Sequence, residues 1–304
     1  MQAGMPANPA TVAVAARRQR ALVATLLTTP FLLFYAVFFV LPLIGMLYLS
    51  FTDNSLGNLA GNFVGLHNYA KLVQDPKFWR ATLHTLYFVL LTVIPNVAVG
   101  LILALLVERL GRLRRLVEGI FFLPVILSLG TIGLIWSWML DPQYGVINSI
   151  FHLTTFWTGS YRFAMPTVAV VTIWWSAGFN MLLYEAGLSS IPKEISEAAR
   201  IDGATTGQVF RYITLPLLKP TTTLILILQL IASMNIFGQV YLLTGGGPNN
   251  STRVLLEYMY TVAFTKQEGG YGSAIAVGIF VIILVISVIQ YTVLNAGASA
   301  ASRA

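Results

Sequence analysis

Apolar residues are concentrated in long, charge-free blocks along this chain. Six such blocks lie near Leu22–Phe51, Thr85–Val107, Gly119–Leu140, Ala164–Tyr184, Pro220–Leu243 and Tyr271–Leu294. About 20 apolar residues in a helix span ~30 Å of hydrocarbon. The first block is too long for one straight crossing and contains Pro30 and Pro42, which predicts an interfacial turn at its start or a kink. The other five fit one crossing each. The pattern predicts an all-α integral membrane protein with six transmembrane helices. Its expected boundaries are a cytoplasmic tail over 1–20, a six-helix domain over 21–295 and a cytoplasmic tail over 296–304.

Composition agrees. The chain has 304 residues, 57% of them hydrophobic and 10% charged. A soluble domain carries about 25% charged residues, so this surface is built for lipid. The absence of Cys rules out disulfides, thiolate metal sites and thiol redox chemistry.

Charge placement then sets orientation. Twelve of the 18 Lys and Arg residues fall at the N-terminus (Arg17, Arg18, Arg20), after the second block (Arg109, Arg112, Arg114, Arg115), after the fourth (Lys193, Arg200, Arg211, Lys219) and at Arg303. Lys71, Lys77, Arg80, Arg162, Arg253 and Lys266 fall on the opposite side. Cytoplasmic loops carry the excess of positive charge, so both termini are expected in the cytoplasm. The +7 formal charge thus follows topology and forms no nucleic-acid face. The first block is about twice the length of a signal-peptide core and has no small-residue cleavage site, so it reads as a retained helix. No charged residue lies mid-span; Glu185 stands at the cytoplasmic end of the fourth. That counts against a stand-alone proton- or sodium-coupled transporter or channel, where ionisable groups within the membrane do the work.

The loop after the fourth block is the most structured-looking hydrophilic stretch. Pro192 suits a first helical turn, and Glu194 and Glu197 lie near the positive end of that helix's dipole. Gly203 suits the left-handed position past a helix end. Thr205 or Thr206 can cap a second helix running toward Leu215 and stopped by Pro216. Ile195, Ala198, Ala199 and Asp202 share one face, and alanines there admit close approach by another protein.

This loop resembles the signature of binding-protein-dependent ABC importer permeases: Glu-Ala-Ala, three residues, Gly, nine residues, Ile, one residue, Leu-Pro. Glu197, Ala198, Ala199, Gly203, Ile213, Leu215 and Pro216 match every position. The resemblance implies a coupling helix within 188–219 that docks on an ATPase subunit. Tyr241-Leu242-Leu243-Thr244-Gly245-Gly246-Gly247-Pro248 looks like the corresponding turn of the larger permease in maltose- and glycerol-phosphate-type sugar importers. Phe63–Tyr69, Asp75–Trp79, Pro42 and Ser50-Phe51 look like the same subfamily. His84-Thr85 departs from its usual Asn-Thr. The extra N-terminal helices and large external domain of the maltose permease are missing from this sequence, which weighs against maltose as solute.

The expected partners follow from the resemblance: a second permease as heterodimer, an ATPase dimer, and an extracytoplasmic solute-binding protein, in a bacterial or archaeal inner membrane. No phosphate-binding Gly-x-x-x-x-Gly-Lys motif occurs. The chain therefore binds no cofactor itself, and ATP and Mg belong to the separate ATPase. No nucleophile–base or metal constellation supports a membrane enzyme; His67, His84 and His152 are scattered.

A solute path needs polar and aromatic side chains facing the bundle interior, because polar groups facing lipid go unsatisfied. On the fourth helix Thr172, Trp175, Ser176 and Phe179 share a face, with Asn180 beside them. On the fifth, Gln229, Ser233, Asn235 and Gln239 interrupt an aliphatic run. Thr172, Trp175, Ser176, Phe179 and Ser233 also align with positions lining the sugar site of the maltose permease. The competing role for all of them is helix–helix hydrogen bonding. Trp136, Trp138 and Trp157 read as interfacial anchors.

Overall fold

The computed structural model describes residues 9–301 except Leu56 and 58–60, with side chains from Leu22 to Val293. Residues 1–8, the Arg17, Arg18 and Arg20 side chains and Arg303 lie outside this description. Every regular element among the described residues is helical. One isolated antiparallel bridge joins Thr52 to Phe63.

Helix α1 (Pro9–Tyr35) runs through a π turn (Ala36–Val40) into α2 (Leu41–Leu49). The excess length of the first apolar block is taken up in that turn. There the Leu41 N–H bonds back to the Ala36 carbonyl, and Pro42, in the first turn of α2, has no N–H to place. The helix is already formed at Pro9, inside the stretch expected to be a tail. Helix α3 (His67–Gln74) leads into α4 (Pro76–Glu108).

The third block departs from expectation. It is not one straight helix over Gly119–Leu140 but two helices, α5 (Arg114–Ile126) and α6 (Leu129–Met139), bent by 99°. Ser128 is extended and its Oγ accepts the Thr131 N–H, so a helix N-cap is written into the middle of the apolar run. A short α7 (Val146–Phe151) precedes α8 (Ala164–Ser189), which continues past Tyr184 and takes in Glu185. Helix α9 (Lys193–Ile201) opens the hydrophilic elbow. Helix α10 (Thr206–Val209) then passes through a second π turn (Phe210–Thr214) into α11 (Leu215–Leu217). Pro216 does not stop this helix. The π turn shifts the Leu215 N–H to the Phe210 carbonyl, and the axis bends 61° only at the junction with α12 (Lys219–Met234).

The fifth block also breaks: α12 ends at Met234, and α13 (Gly238–Leu243) starts anew after Asn235–Phe237. Helix α14 (Leu255–Tyr260) and α15 (Gly269–Ala301) complete the chain, α15 continuing into the region expected to be a tail. Four stretches, Leu22–Leu49, Pro76–Glu108, Ala164–Ser189 and Gly269–Val293, are each long and apolar enough to cross a membrane. The protein is thus a multi-pass, all-helical membrane protein.

Helices α4, α8 and α12 form the centre. Ala104, Val107, Met181, Tyr184, Leu218 and Ile225 pack one end of it, and Phe88, Val168, Val171 and Val240 the other. Among the described residues of Leu22–Leu49 none is fully buried, and Leu26, Phe31, Phe34 and Phe38 are exposed; α2 alone lies against α15.

Asp75 ties α4 to α14 and α15. Its Oδ1 caps α4 by accepting the Lys77 N–H at 2.8 Å, and its Oδ2 accepts the hydroxyls of Tyr258 and, at 2.6 Å, Tyr271. Burial opposes ionisation of this carboxyl. The two phenols and the backbone N–H groups of Lys77 and Phe78 outweigh it and hold the pKa below the usual value. A lowered carboxylate pKa adds stability that is fully present above the ordinary value near ~4 and lost as pH falls through the folded one. Thermal melts of the purified protein should therefore show Asp75→Asn melting below wild type at pH 6, with the gap closing below pH ~4. A gap independent of pH would contradict this.

Candidate functional site

The two helix breaks meet. A Cβ on Gly238, at the start of α13, would stand 2.0 Å from Leu129 Cδ2 at the start of α6, so any larger residue would make the Leu129 side chain turn aside. Beside the junction lies a cavity of ≈ 550 Å³, within the range of small-molecule sites. Broken helices are tolerated within a membrane where their backbone is covered by protein or lines a cavity.

Seven of the eight residues expected along a solute path reach its wall: Thr172, Trp175, Ser176, Phe179, Ser233, Asn235 and Gln239. Aromatic side chains are supplied by Phe88, Trp175, Phe179 and Phe237, and hydrogen-bonding groups by Thr172, Ser176, Gln229, Ser233, Asn235 and Gln239. No ionisable side chain lines it. The Trp175 indole N–H is buried without a protein partner.

Asn180, expected among this group, is turned away from the wall and sits 1% exposed in a closed ring of amides. Asn180 Nδ2 donates to Asn96 Oδ1 at 2.9 Å, Asn96 Nδ2 to Gln229 Oε1 at 3.0 Å, and Gln229 Nε2 to Asn180 Oδ1 at 2.8 Å. Asn96 also donates to Ser176 Oγ at 2.6 Å, and Thr92 and Ser233 share a hydrogen bond of 2.9 Å. Each amide comes from a different helix, α4, α8 or α12. The ring fixes the cavity wall from behind. Asn96 was not picked out from sequence; its signal is a lone amide beside Pro95 in the longest apolar run of α4. Phe237 was missed because it lies in the break.

The aromatic residues expected at interfaces divide. Trp157 donates its indole N–H to Asn148 at 2.8 Å, Trp136 stacks edge-on against Trp174, and Trp138 is exposed. At the other end of α8, Glu185 is buried and bound by Arg114 at 3.1 Å, while Arg114 also holds Glu118 at 2.5 Å.

The elbow between α8 and α12 is stiff at both joints. At the end of α9, Gly203 has φ +87°, its N–H bonds to the Arg200 carbonyl, and the Ala204 N–H bonds to the Ala199 carbonyl. That is a Schellman closure, which needs the left-handed residue. Thr205 rather than Thr206 caps α10. Its Oγ1 accepts from the Gln208 N–H while Gln208 Oε1 accepts from the Thr205 N–H, a complete capping box. Glu197, Ala198, Asp202, Gly203, Leu215 and Pro216 are exposed, whereas Ala199 and Ile213 are half-buried. Ile201 is 87% exposed, an apolar side chain with no cover from this chain.

A multi-pass helical bundle with an uncharged cavity of mixed apolar and polar lining, at two facing helix breaks, suits a membrane transport subunit. Residues 76–297 match the family described as binding-protein-dependent transport system inner membrane component, and the chain belongs to that family. It is 36% identical to a probable ABC transporter permease protein of Pyrococcus horikoshii, over 84% of this chain and 90% of that one. It is 35% identical to the multiple sugar-binding transport system permease protein MsmF of Streptococcus mutans, over 88% of this chain and 92% of that one. Among solved structures, a bacterial alginate ABC transporter in complex with an alginate pentasaccharide-bound periplasmic protein has a similar chain. The TM-score is 0.79 at 25% identity, covering 90% of this chain and 93% of that one. The chain is a permease subunit of an ABC importer.

Removing one amide leaves two buried partners unsatisfied, at about 1–3 kcal/mol for each lost pairing. Asn96→Ala should therefore lower the melting temperature of the purified protein and weaken uptake, while Asn96→Gln retains part of both. A melting temperature unchanged in Asn96→Ala would show that the ring carries no stability.

Proposed function

We propose that this chain is one of two different permease subunits through which an uncharged sugar or sugar-like solute enters the cytoplasm. The observation that carries the solute class is the cavity wall: four aromatic and six amide or hydroxyl side chains, with no ionisable group among the described residues. Aromatic rings stack on the C–H faces of a sugar, and amides and hydroxyls pair with its hydroxyl groups. A uronate or a sugar phosphate would leave its charge unpaired there, at a cost of several kcal/mol. The related MsmF permease belongs to a multiple sugar-binding transport system, which supports a sugar. The related alginate importer carries an acidic polysaccharide, so relatives of one fold differ in solute charge.

The pathway crosses the membrane six times in this reading, four times by the continuous stretches and twice by the bent pairs α5–α6 and α10–α12. Both termini and the 188–219 elbow then face the cytoplasm, as the excess of Lys and Arg on that side supports. A partner ATPase dimer binds ATP and Mg, and a binding protein delivers solute from outside. The exposed Ile201, Ala198, Glu197 and Asp202 form the face of α9 offered to the ATPase. Because the turn from α9 to α10 is fixed by the closure at Gly203 and the Thr205–Gln208 capping box, ATPase closure moves the two helices as a unit. Contacts that differ between the two ATPase states are what bias the pore.

Two measurements test this. Single cysteines at Gln143 and Asn249 should react with an impermeant thiol reagent in intact cells, and one at Thr206 should not; external labelling at Thr206 would reverse the orientation. Gly203→Val places a β-branched residue at positive φ, straining the turn by about 1–3 kcal/mol, and Glu197→Lys reverses charge on the docking face. Both should keep near-normal membrane abundance yet abolish uptake, through lost ATPase co-purification or uncoupled hydrolysis. Normal uptake in both would sink the coupling assignment and favour a carrier that works alone.

A further inference from the structure

A second, smaller crevice of ≈ 350 Å³ opens at the far end of α4, where Lys77, Arg80 and His84 face Asn249, Ser251 and Arg253. Its chemistry is the reverse of the transport cavity's: cations and neutral donors line it, and no carboxylate does. Lys77 and Arg80 are exposed, one turn apart in the first turns of α4, where the helix dipole adds positive potential. Among the described residues neither takes part in an ion pair. Arg253 gives its Nε to Glu257 at 2.8 Å, which leaves its two terminal nitrogens without a partner among the described residues. His84 Nδ1 lies 3.1 Å from the Arg253 carbonyl oxygen. A carbonyl only accepts, so His84 Nδ1 is the donor of this pair. The Ser251 hydroxyl is shut off from solvent and has no hydrogen-bond partner. The nearby Asp75 carboxylate accepts hydrogen bonds from Tyr258 and Tyr271 and makes no ion pair with either cation.

Unpaired like charges gathered round an unsatisfied hydroxyl form an anion socket awaiting its anion. The solute is a poor occupant, because the cavity it must pass through has no charged group to receive an anion. The other end of α4 reaches the elbow: Glu108 and Arg109 border the same pocket as Pro192 and Lys193. At 1.5 Å per residue, the 33-residue α4 puts the crevice on the order of 50 Å from that end, on the opposite side of the bundle. With the orientation proposed above, on which this inference rests, the crevice faces outward, where the related alginate importer carries its periplasmic protein.

We propose that Lys77, Arg80, His84, Ser251 and Arg253 form a docking socket for an acidic side chain on the surface of the partner solute-binding protein. One inserted Asp or Glu carboxylate pairs with the two free cations at the rim, Lys77 and Arg80. Complementary charge at such a rim speeds and registers association more than it tightens it, and weakens with salt.

The test uses the complete transporter in lipid nanodiscs and its own binding protein, fluorescently labelled, with affinity read by anisotropy at several salt concentrations. Lys77→Glu combined with Arg80→Glu should raise the dissociation constant about tenfold or more at low salt and flatten its salt dependence. Arg80→Lys should stay within about twofold of wild type, since it keeps the charge. Both side chains are exposed, and ATPase co-purification checks assembly of each variant. If the reversed variant does not assemble, Lys77→Gln with Arg80→Gln carries the same test. Unchanged affinity in an assembled variant would overturn the socket while leaving the importer reading intact. So would unchanged affinity together with lost uptake of an acidic solute, which would assign the crevice to solute. A wild-type complex that binds no such protein would overturn both.

Discussion

Three amides bound in a ring hold this structure in register. Lipid supplies no hydrophobic force between helices, so their association rests on packing and on the few polar groups that find one another. Asn96, Asn180 and Gln229 come from the three central helices, and each both donates to and accepts from another member. The Asn96 bond to Ser176 and the Thr92–Ser233 pair extend the same network to the cavity. The cavity wall is therefore one side of the interhelical clamp. This explains how polar residues along one path serve both packing and the cavity wall: Ser176 and Ser233 face the cavity and are anchored from behind.

Much of the architecture was legible in the sequence because it depends on length and charge. Charge-free blocks gave the apolar helices close to where they stand. The elbow was legible for a different reason, since its joints rest on residue chemistry that few sequences imitate. Gly203 adopts positive φ, and Thr205 closes a capping box with Gln208. What escaped were the breaks. Ser128 and Thr131 form an N-cap, but within an apolar run two hydroxyls do not lower hydrophobicity enough to show. The break after Met234 carries Asn235, a residue that also fits an interior helix. Pro216 misled for the converse reason, because a π turn one step earlier removed the hydrogen bond that proline would have broken.

The site was legible as a face and not as individual contacts. Helical spacing brought Thr172, Trp175, Ser176 and Phe179 together, and the cavity does use all four. Asn180 lies one residue beyond Phe179, about 100° round the helix, and that rotation takes it from the cavity into the amide ring. Asn96 was invisible because its role needs two helices that come much later in the chain. The breaks and the ring belong together: α6 and α13 can end beside the cavity because α4, α8 and α12 are already tied behind it.

The uncharged cavity wall has an electrical consequence. Moving one elementary charge across a membrane at 100 mV exchanges about 2.3 kcal/mol with the field. A pathway with no ionisable wall residue, carrying a neutral solute, moves no such charge at this site. Membrane voltage then neither drives the solute inward nor holds it back. In the importer proposed above, the direction of net flux is then left to the chemical free energy of ATP hydrolysis.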